Sequence, residues 1–442
     1  MPAPDRPGTG PALRLHGWHD TVVVGVVLAA LASGFGQFGV VAALGDVATA
    51  FGRATHGVSL TDQAGLSGTQ LGLGLAVIRL ASLGSLPLAG LADRYGRRTM
   101  VLLTVGVGLA LTVASAASPG YWWFVAVFAL GRPFLSATNA LTQVTAAEQT
   151  GSSNRAKAVA FVAAGYGVGA GLIAIVHSLA SSALGFRGVL ALAGVPLLLL
   201  PLIARWVREP DRFAVAAASA DHPLPVLGAI GPAFRSRLAV VALLAFAISV
   251  ITGPANSFVF LYAQNVLRLP GGVTAAMVVG AGAAGLAGLL LGRWLADRVG
   301  RRPTGALGMV GVAVSGAVAY SGSRPALVGG YVVGVLSGSV FAPALGSMLS
   351  ELFPTRVRAS VAGWWLVAGV LGAAAGLVVF GSVAGAGNRF ELAALVTFLP
   401  AAVLAGLFWL VPETRGLEPE ELWPAHRDGG HGSPGGGLRR SG

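Results

Sequence analysis

The sequence predicts an all-α membrane protein of twelve transmembrane helices arranged as two pseudo-symmetric six-helix bundles. Three observations predict it: too little charge for a water-facing surface, twelve apolar segments of spanning length, and motifs that recur half a chain apart. Of 442 residues, 55% are hydrophobic and only 10% charged, against about 25% charged in soluble domains. The 66 glycines suit helices in lipid, where small residues let backbones approach closely.

A net charge of +12 would mark a nucleic-acid binder in a soluble protein. Here most Lys and Arg fall in the loops of one side. That is the positive-inside pattern, which assigns this side to the cytoplasm. No basic groove carries stacking aromatics, so nucleic acid is not expected as a partner. The chain has no cysteine, which excludes disulfides, thiolate metal sites and a thiol nucleophile. The seven histidines are scattered and form no nucleophile–base or metal-ligand constellation. Neither an enzyme nor a cofactor is expected.

A spanning helix needs about 20 mostly apolar residues. In the first half the qualifying segments are 21–44, 66–92, 100–118, 121–147, 158–180 and 188–207. In the second they are 238–263, 273–296, 305–320, 326–350, 359–384 and 390–411. The first is too long for a secretory signal and reads as an uncleaved span. The predicted organisation is therefore a cytoplasmic N-terminal segment (1–20), an N-terminal bundle (21–207), a polar, Pro-containing central loop (208–237), a C-terminal bundle (238–411) and a cytoplasmic tail (412–442). Beyond Trp423 the Gly, Ser and Pro content of that tail predicts disorder. An even number of spans puts both termini on the cytoplasmic side of a plasma or inner membrane.

The internal repeat is specific. Leu91-Ala92-Asp93-Arg94 with Gly96-Arg97-Arg98 returns as Leu295-Ala296-Asp297-Arg298 with Gly300-Arg301-Arg302. Glu148 and Arg155 likewise return as Glu351 and Arg358. LADRYGRR and LADRVGRR each close one apolar helix and open the next, setting an acid and several arginines around a tight turn. These repeats resemble the loop signature of the major facilitator superfamily. Ala89 and Arg293 stand where that family usually has Gly, with Gly90 and Gly292 beside them. The resemblance implies a monomeric permease in the bilayer, moving a small-molecule substrate by alternating access. It also implies a conformational latch on Asp93, Arg94, Arg97, Arg98, Glu148 and Arg155, and on Asp297, Arg298, Arg301, Arg302, Glu351 and Arg358, made when the protein faces outward and broken when it faces inward. ELFPTRVRAS (351–360) and VPETRG (411–416) are similar to signatures of sugar porters and metabolite:proton symporters. The Gln-Gln pair and tenth-helix Trp of sugar porters are missing, Gly346 standing at the latter place.

Charges inside the spans point to a central site. Arg79 precedes Asp93 by 14 residues and Arg132 precedes Glu148 by 16. At 1.5 Å per residue each lies roughly 20–25 Å from its charged helix end, near mid-bilayer. An arginine there costs at least about 2.5–3.5 kcal/mol and should face a cavity or partner. Ser136, Asn139 and Gln143 continue the Arg132 face at helical spacing. Gln37 and Ser33 on the first span, and Asn256, Tyr262 and Gln264 on the seventh, are the other polar candidates for a substrate site. Gly253-Pro254 is a candidate break in the seventh helix.

All 17 Asp and Glu lie in loops or near helix ends, so no mid-membrane acid is available as a proton carrier. His177 is the one intramembrane histidine, and a lone histidine is ordinarily structural. Two arginines without a buried acid favour an anionic or strongly hydrogen-bonding solute over a cation. The glycines at 165, 167, 169 and 171 read as close helix packing, since no strand precedes them as a dinucleotide loop requires. The alternatives are a drug exporter and a transporter-shaped sensor, the latter lacking an obvious signalling domain.

Overall fold

The structure is a computed structural model and describes residues 15–53, 60–211, 227–228, 230–385, 387–417 and 422–423. The N-terminal segment up to residue 14, most of the central loop and the tail beyond Trp423, where disorder is expected, lie outside the described residues. Twelve long helices dominate: α1 Thr21–Ala42, α2 Gly68–Tyr95, α3 Arg97–Ser115, α4 Tyr121–Gln149, α5 Asn154–Ala180, α6 Ala183–Trp206, α7 Pro232–Val266, α8 Gly271–Arg298, α9 Arg301–Ala319, α10 Arg324–Glu351, α11 Val357–Gly385 and α12 Phe390–Leu410. All but α9 are long and apolar enough to cross a membrane. The ninth opens with Arg301, Arg302 and Pro303 and carries four glycines, which lower its apolarity.

Boundaries differ from the sequence expectation where polar residues sit inside helices. The seventh helix begins at Pro232, six residues earlier than expected. Proline suits this first position because the helix leaves that N–H unbonded. The first span stops at Ala42, and a separate helix, Leu44–Phe51, follows. Gly253-Pro254 does not break α7: the helix runs through Pro254 to Ser257 and turns irregular only at Phe258 and in the π turn Tyr262–Val266. What Pro254 does remove is the N–H that would bond the Val250 carbonyl. Gly376 of α11 packs its bare Cα against that carbonyl.

Each bundle is stitched the same way. In the first, Gly165 and Gly169 of α5 lie on the Val27 and Leu31 carbonyls of α1. In the second, Gly372 and Gly376 of α11 lie on the Phe246 and Val250 carbonyls of α7. A Cβ at any of the four would overlap backbone; glycine is what lets these helices cross at van der Waals distance. Gly167, in contrast, faces open space, so only alternate members of the glycine run pack as expected.

The bundles meet along α2 with α11 and α5 with α8. Their tightest contacts lie at the end away from the arginine motifs. There Gly68 and Gly72 of α2 nest against Gly381, Gly385 and the Leu377 carbonyl of α11, and the Ser178 carbonyl of α5 sits where Gly271 of α8 would carry a Cβ. This far end is sealed by backbone-on-backbone packing.

Candidate functional site

At the basic end the repeated motifs build two matching charge clusters. Gly96 and Gly300 turn the chain with φ of 94° and 124°, a region favouring glycine. Opposite each lies a carboxylate, Glu209 and Glu413, where a Cβ would strike it. Glu209 accepts from the Arg97 and Arg98 N–H groups. Glu413 accepts from the Arg301 and Arg302 N–H groups at 2.8 and 3.1 Å. Each carboxylate thus caps the free N–H groups at a helix start. Burial pushes the Glu413 carboxyl up, but the N–H groups of Arg301, Arg302, Arg415 and Thr414 outweigh it and leave its pKa below the ordinary value. Sequence reading missed both acids, although 209 and 413 share the offset that relates Asp93 to Asp297.

The motif arginines reach across each cluster. Arg97 bridges Asp93 at 2.7 Å and Glu148 at 3.2 Å; Arg301 bridges Asp297 at 3.6 Å and Glu351 at 3.3 Å. Arg98 donates to the Val207 and Ala204 carbonyls ending α6, and Arg302 to the Phe408 and Trp409 carbonyls ending α12. All these bonds stay within one bundle or the other. Glu148 and Glu351 pair with Arg97 and Arg301 rather than with Arg155 and Arg358; Arg155 is exposed, and Arg358 bonds the Phe353 carbonyl at 3.0 Å. Arg298 lies over the Trp294 ring at 5.0 Å, and Arg94 is exposed.

Midway along the helices a cavity of about 200 Å³ opens between the bundles. Arg79 of α2 and Arg132 of α4 line it, with Gln37 of α1, Tyr166 of α5, and Asn256 and Ser257 of α7. Arg79 sits just before a 3₁₀ turn, Ser82–Gly84, at which α2 bends. Pro87 explains the turn, since it denies the Leu83 carbonyl its helical N–H. Both guanidiniums are walled in by protein yet keep surface toward the cavity, and their charges repel each other. Among the described residues neither has a carboxylate or hydrogen-bond partner, and Nε of Arg132 is fully buried with none. Gln37 is held in place: its amide donates to Ser33 Oγ at 2.8 Å and to the Leu135 carbonyl at 3.1 Å.

Four of the expected site residues, Arg79, Arg132, Gln37 and Asn256, therefore converge. The others do not line this cavity. Ser136, Asn139 and Gln143 continue along α4 toward the basic end, the last two joined at 3.5 Å. Tyr262 lies at the far end in an aromatic cluster with Tyr320 and Phe390. Tyr166 was not singled out in the sequence because it stands among glycines and alanines with no polar neighbour to mark its face.

Two bundles of spanning-length apolar helices around a central cavity that holds two arginines fit a solute permease. Comparison with known proteins gives the family. Sequence matching to the Major Facilitator Superfamily covers residues 26–294 and 277–429, and the chain belongs to that superfamily. It is 27% identical over 379 residues to a probable 4-methylmuconolactone transporter of Cupriavidus pinatubonensis, covering 83% of this chain and 87% of that one. It is 25% identical over 341 residues to a cis,cis-muconate transport protein of Acinetobacter baylyi, covering 71% and 80%. In fold it matches the inward-open xylose transporter of E. coli with a TM-score of 0.71 at 19% identity, over 91% of this chain and 99% of that one. The protein is a multi-pass membrane transporter for a small solute.

Proposed function

We propose that the solute is a small organic anion, held by Arg79 and Arg132 while the two bundles rock about it. The observation that carries this reading is the pair of cavity-facing guanidiniums with no carboxylate between them among the described residues. A mid-bilayer arginine costs about 2.5–3.5 kcal/mol. A carboxylate about 4 Å away returns roughly 4 kcal/mol at an effective dielectric of 20. Binding an anion therefore offsets what the empty site costs, whereas a cation would add to it. Arginine also presents a planar fork suited to carboxylates. Gln37, Tyr166 and Asn256 supply hydrogen-bonding groups for the rest of the molecule. Of the relatives named above, one is named for cis,cis-muconate, a dicarboxylate, which supports the same substrate class, and the other is named as a probable transporter of 4-methylmuconolactone. A drug-efflux role is not favoured, since it calls for a broad apolar pocket and those relatives carry small metabolites.

On the positive-inside rule we assign the basic end to the cytoplasm, and with an even number of spans both termini to the same side, in a plasma or inner membrane. On that assignment the sealed far end is the outer gate, and the conformation is inward-facing. The clusters around Arg97 and Arg301, each closed within its own bundle here, are the two halves of the latch that regroup when the cytoplasmic ends come together. The bundles correspond to residues 21–207 and 238–411, joined by the central loop, in a monomer.

Uptake into proteoliposomes of labelled mono- and dicarboxylic acids, a pentose and a cationic dye tests the reading. Transport of an acid, competed by other carboxylates and lost in Arg132→Ala, is expected. Preferred transport of the sugar or the dye, indifferent to that substitution, would overturn it.

A further inference from the structure

The helices α5 and α8 touch at the far end and part toward the basic end. At the far end the Ser178 carbonyl of α5 sits on Gly271 of α8, and beside it the buried ring of His177 is held by Asp46 at 2.8 Å. Seven residues on along each helix, Gly171 still lies beside the Val278 side chain; four residues beyond that pair, Gly167 and Gly282 both face open space. The helices therefore diverge and leave a groove between their basic halves. Its walls follow from helical spacing: Ala164 and Ala160 continue the Gly167 face of α5, and Leu286 and Leu289 continue the Gly282 face of α8. All four are exposed, Leu286 by 62%.

At the mouth of the groove each wall ends in a cation. Lys157 lies 14 residues from Gly171, and Arg293 lies 15 from Val278, about 21–23 Å along their helices. The two thus stand at the same height. Both side chains are exposed, and among the described residues neither has an ion-pair or hydrogen-bond partner. Neighbouring charges are taken up elsewhere: Asp297 by Arg301, Glu148 by Arg97, and Arg298 over the Trp294 ring. The matching contact in the doubled scaffold, α2 with α11, lacks this pair. There the offsets that relate Asp93 to Asp297 and Glu148 to Glu351 carry Arg293 onto Ala89 and Lys157 onto Ser360, neither of them charged.

We propose that this groove binds one anionic phospholipid of the cytoplasmic leaflet, its phosphate held between Lys157 and Arg293 and an acyl chain lying along Gly167, Gly282, Leu286 and Leu289. Lys and Arg at headgroup level attract anionic lipid, and below them the walls are apolar, as a hydrocarbon chain requires. A soluble anion would satisfy the cations but leave those walls uncovered. A zwitterionic lipid would cover the walls but bring a cation of its own against Lys157 and Arg293. The groove is separate from the arginine cavity, which none of these residues lines. The proposal rests on the basic end facing the cytoplasm and on nothing about the solute, so its test uses no solute.

Native mass spectrometry of the delipidated full-length protein in detergent reads lipid retention directly. Phosphatidylglycerol and phosphatidylcholine with identical chains are titrated at equal concentration. The expected result is one tightly held phosphatidylglycerol, preferred over phosphatidylcholine by about 25-fold, roughly fivefold for each cation. Lys157→Gln and Arg293→Gln should each lower that preference about fivefold, and the double variant should abolish it. Arg389→Gln, at an exposed arginine of the far end, should leave it unchanged. Gly282→Leu, whose side chain enters open space, should fill the groove and weaken retention of phosphatidylglycerol with both cations still in place. Equal retention of the two lipids by the parent would overturn the proposal. So would a preference that survives in the double variant, or displacement of the lipid by glycerol phosphate at matching concentration, which would mark a site for free anions. Circular dichroism melts of the variants separate a lost site from a lost fold.

Discussion

The two bundles are alike at their ends and different in their middles. At the basic end nearly every contact has a counterpart: Gly96 with Gly300, Arg97 with Arg301, Arg98 with Arg302, Glu209 with Glu413. At the centre the match fails. The offset that relates Asp93 to Asp297 carries Arg79 onto Ala283, and the offset that relates Glu148 to Glu351 carries Arg132 onto Val335. On the proposed reading, the doubled scaffold rocks between two arrangements, and the undoubled charges select an anionic solute.

The largest test of this difference removes the charge from one side only. Arg132→Ala should lower kcat/KM for the transported acid by at least about 30-fold, the loss of roughly 2 kcal/mol that follows when a buried charge loses its partner. Val335→Ala, at the corresponding position, should change it by less than about threefold, because Val335 does not line the arginine cavity and carries no charge for the solute to lose. Arg79→Ala should fall between these values, because Arg132 remains to hold the anion. Initial rates in proteoliposomes read all three.

A second test attacks the seal that both bundles share. Gly381 of α11 lies against the Gly68 carbonyl and Gly72 of α2, leaving no room for a side chain. Gly381→Leu should hold the outer gate open, abolishing net transport while equilibrium binding of the acid stays within about threefold, since the arginine cavity is untouched. Loss of binding together with transport would show that the substitution damages the bundle rather than the gate.

The smallest effect expected is on the doubled ends. Glu209→Gln and Glu413→Gln each weaken a helix cap and should cost about 1 kcal/mol of stability, equal in the two halves and leaving KM unchanged. For Glu413 the dependence on pH has a definite sign. Its carboxyl titrates below its ordinary value because four N–H groups favour the charged form against burial. Its contribution is therefore complete above the ordinary carboxylate range and is lost as the pH falls through the lowered value. Thermal melts of the parent and of Glu413→Gln in detergent should converge in acid.

Much of the fold was legible because bilayer physics writes itself into composition: twelve apolar stretches and the repeated arginine motifs were enough to predict twelve helices in two bundles. That Arg79 and Arg132 face a cavity was legible too, since an arginine in an apolar helix has few tolerable places. What could not be read were contacts between segments far apart in the chain. Glu209 looked like one more loop charge until the turn at Gly96 came to rest on it. His177 looked solitary because Asp46 is 131 residues away. The course of α7 was misjudged for a local reason: Pro254 loses only one hydrogen bond, and packing by α11 keeps the helix intact around it.

The most direct test of the account is equilibrium binding of a small carboxylate panel, muconate included, to the purified protein by isothermal titration calorimetry. Wild type, Arg132→Ala and Val335→Ala would be compared at one salt concentration. The account predicts that the wild type binds an acid, that Arg132→Ala weakens it by at least about 30-fold, and that Val335→Ala binds as the wild type does. Equal affinity in all three proteins, or no acid bound by the wild type, would contradict the claim that the unshared arginines of the first bundle define the substrate.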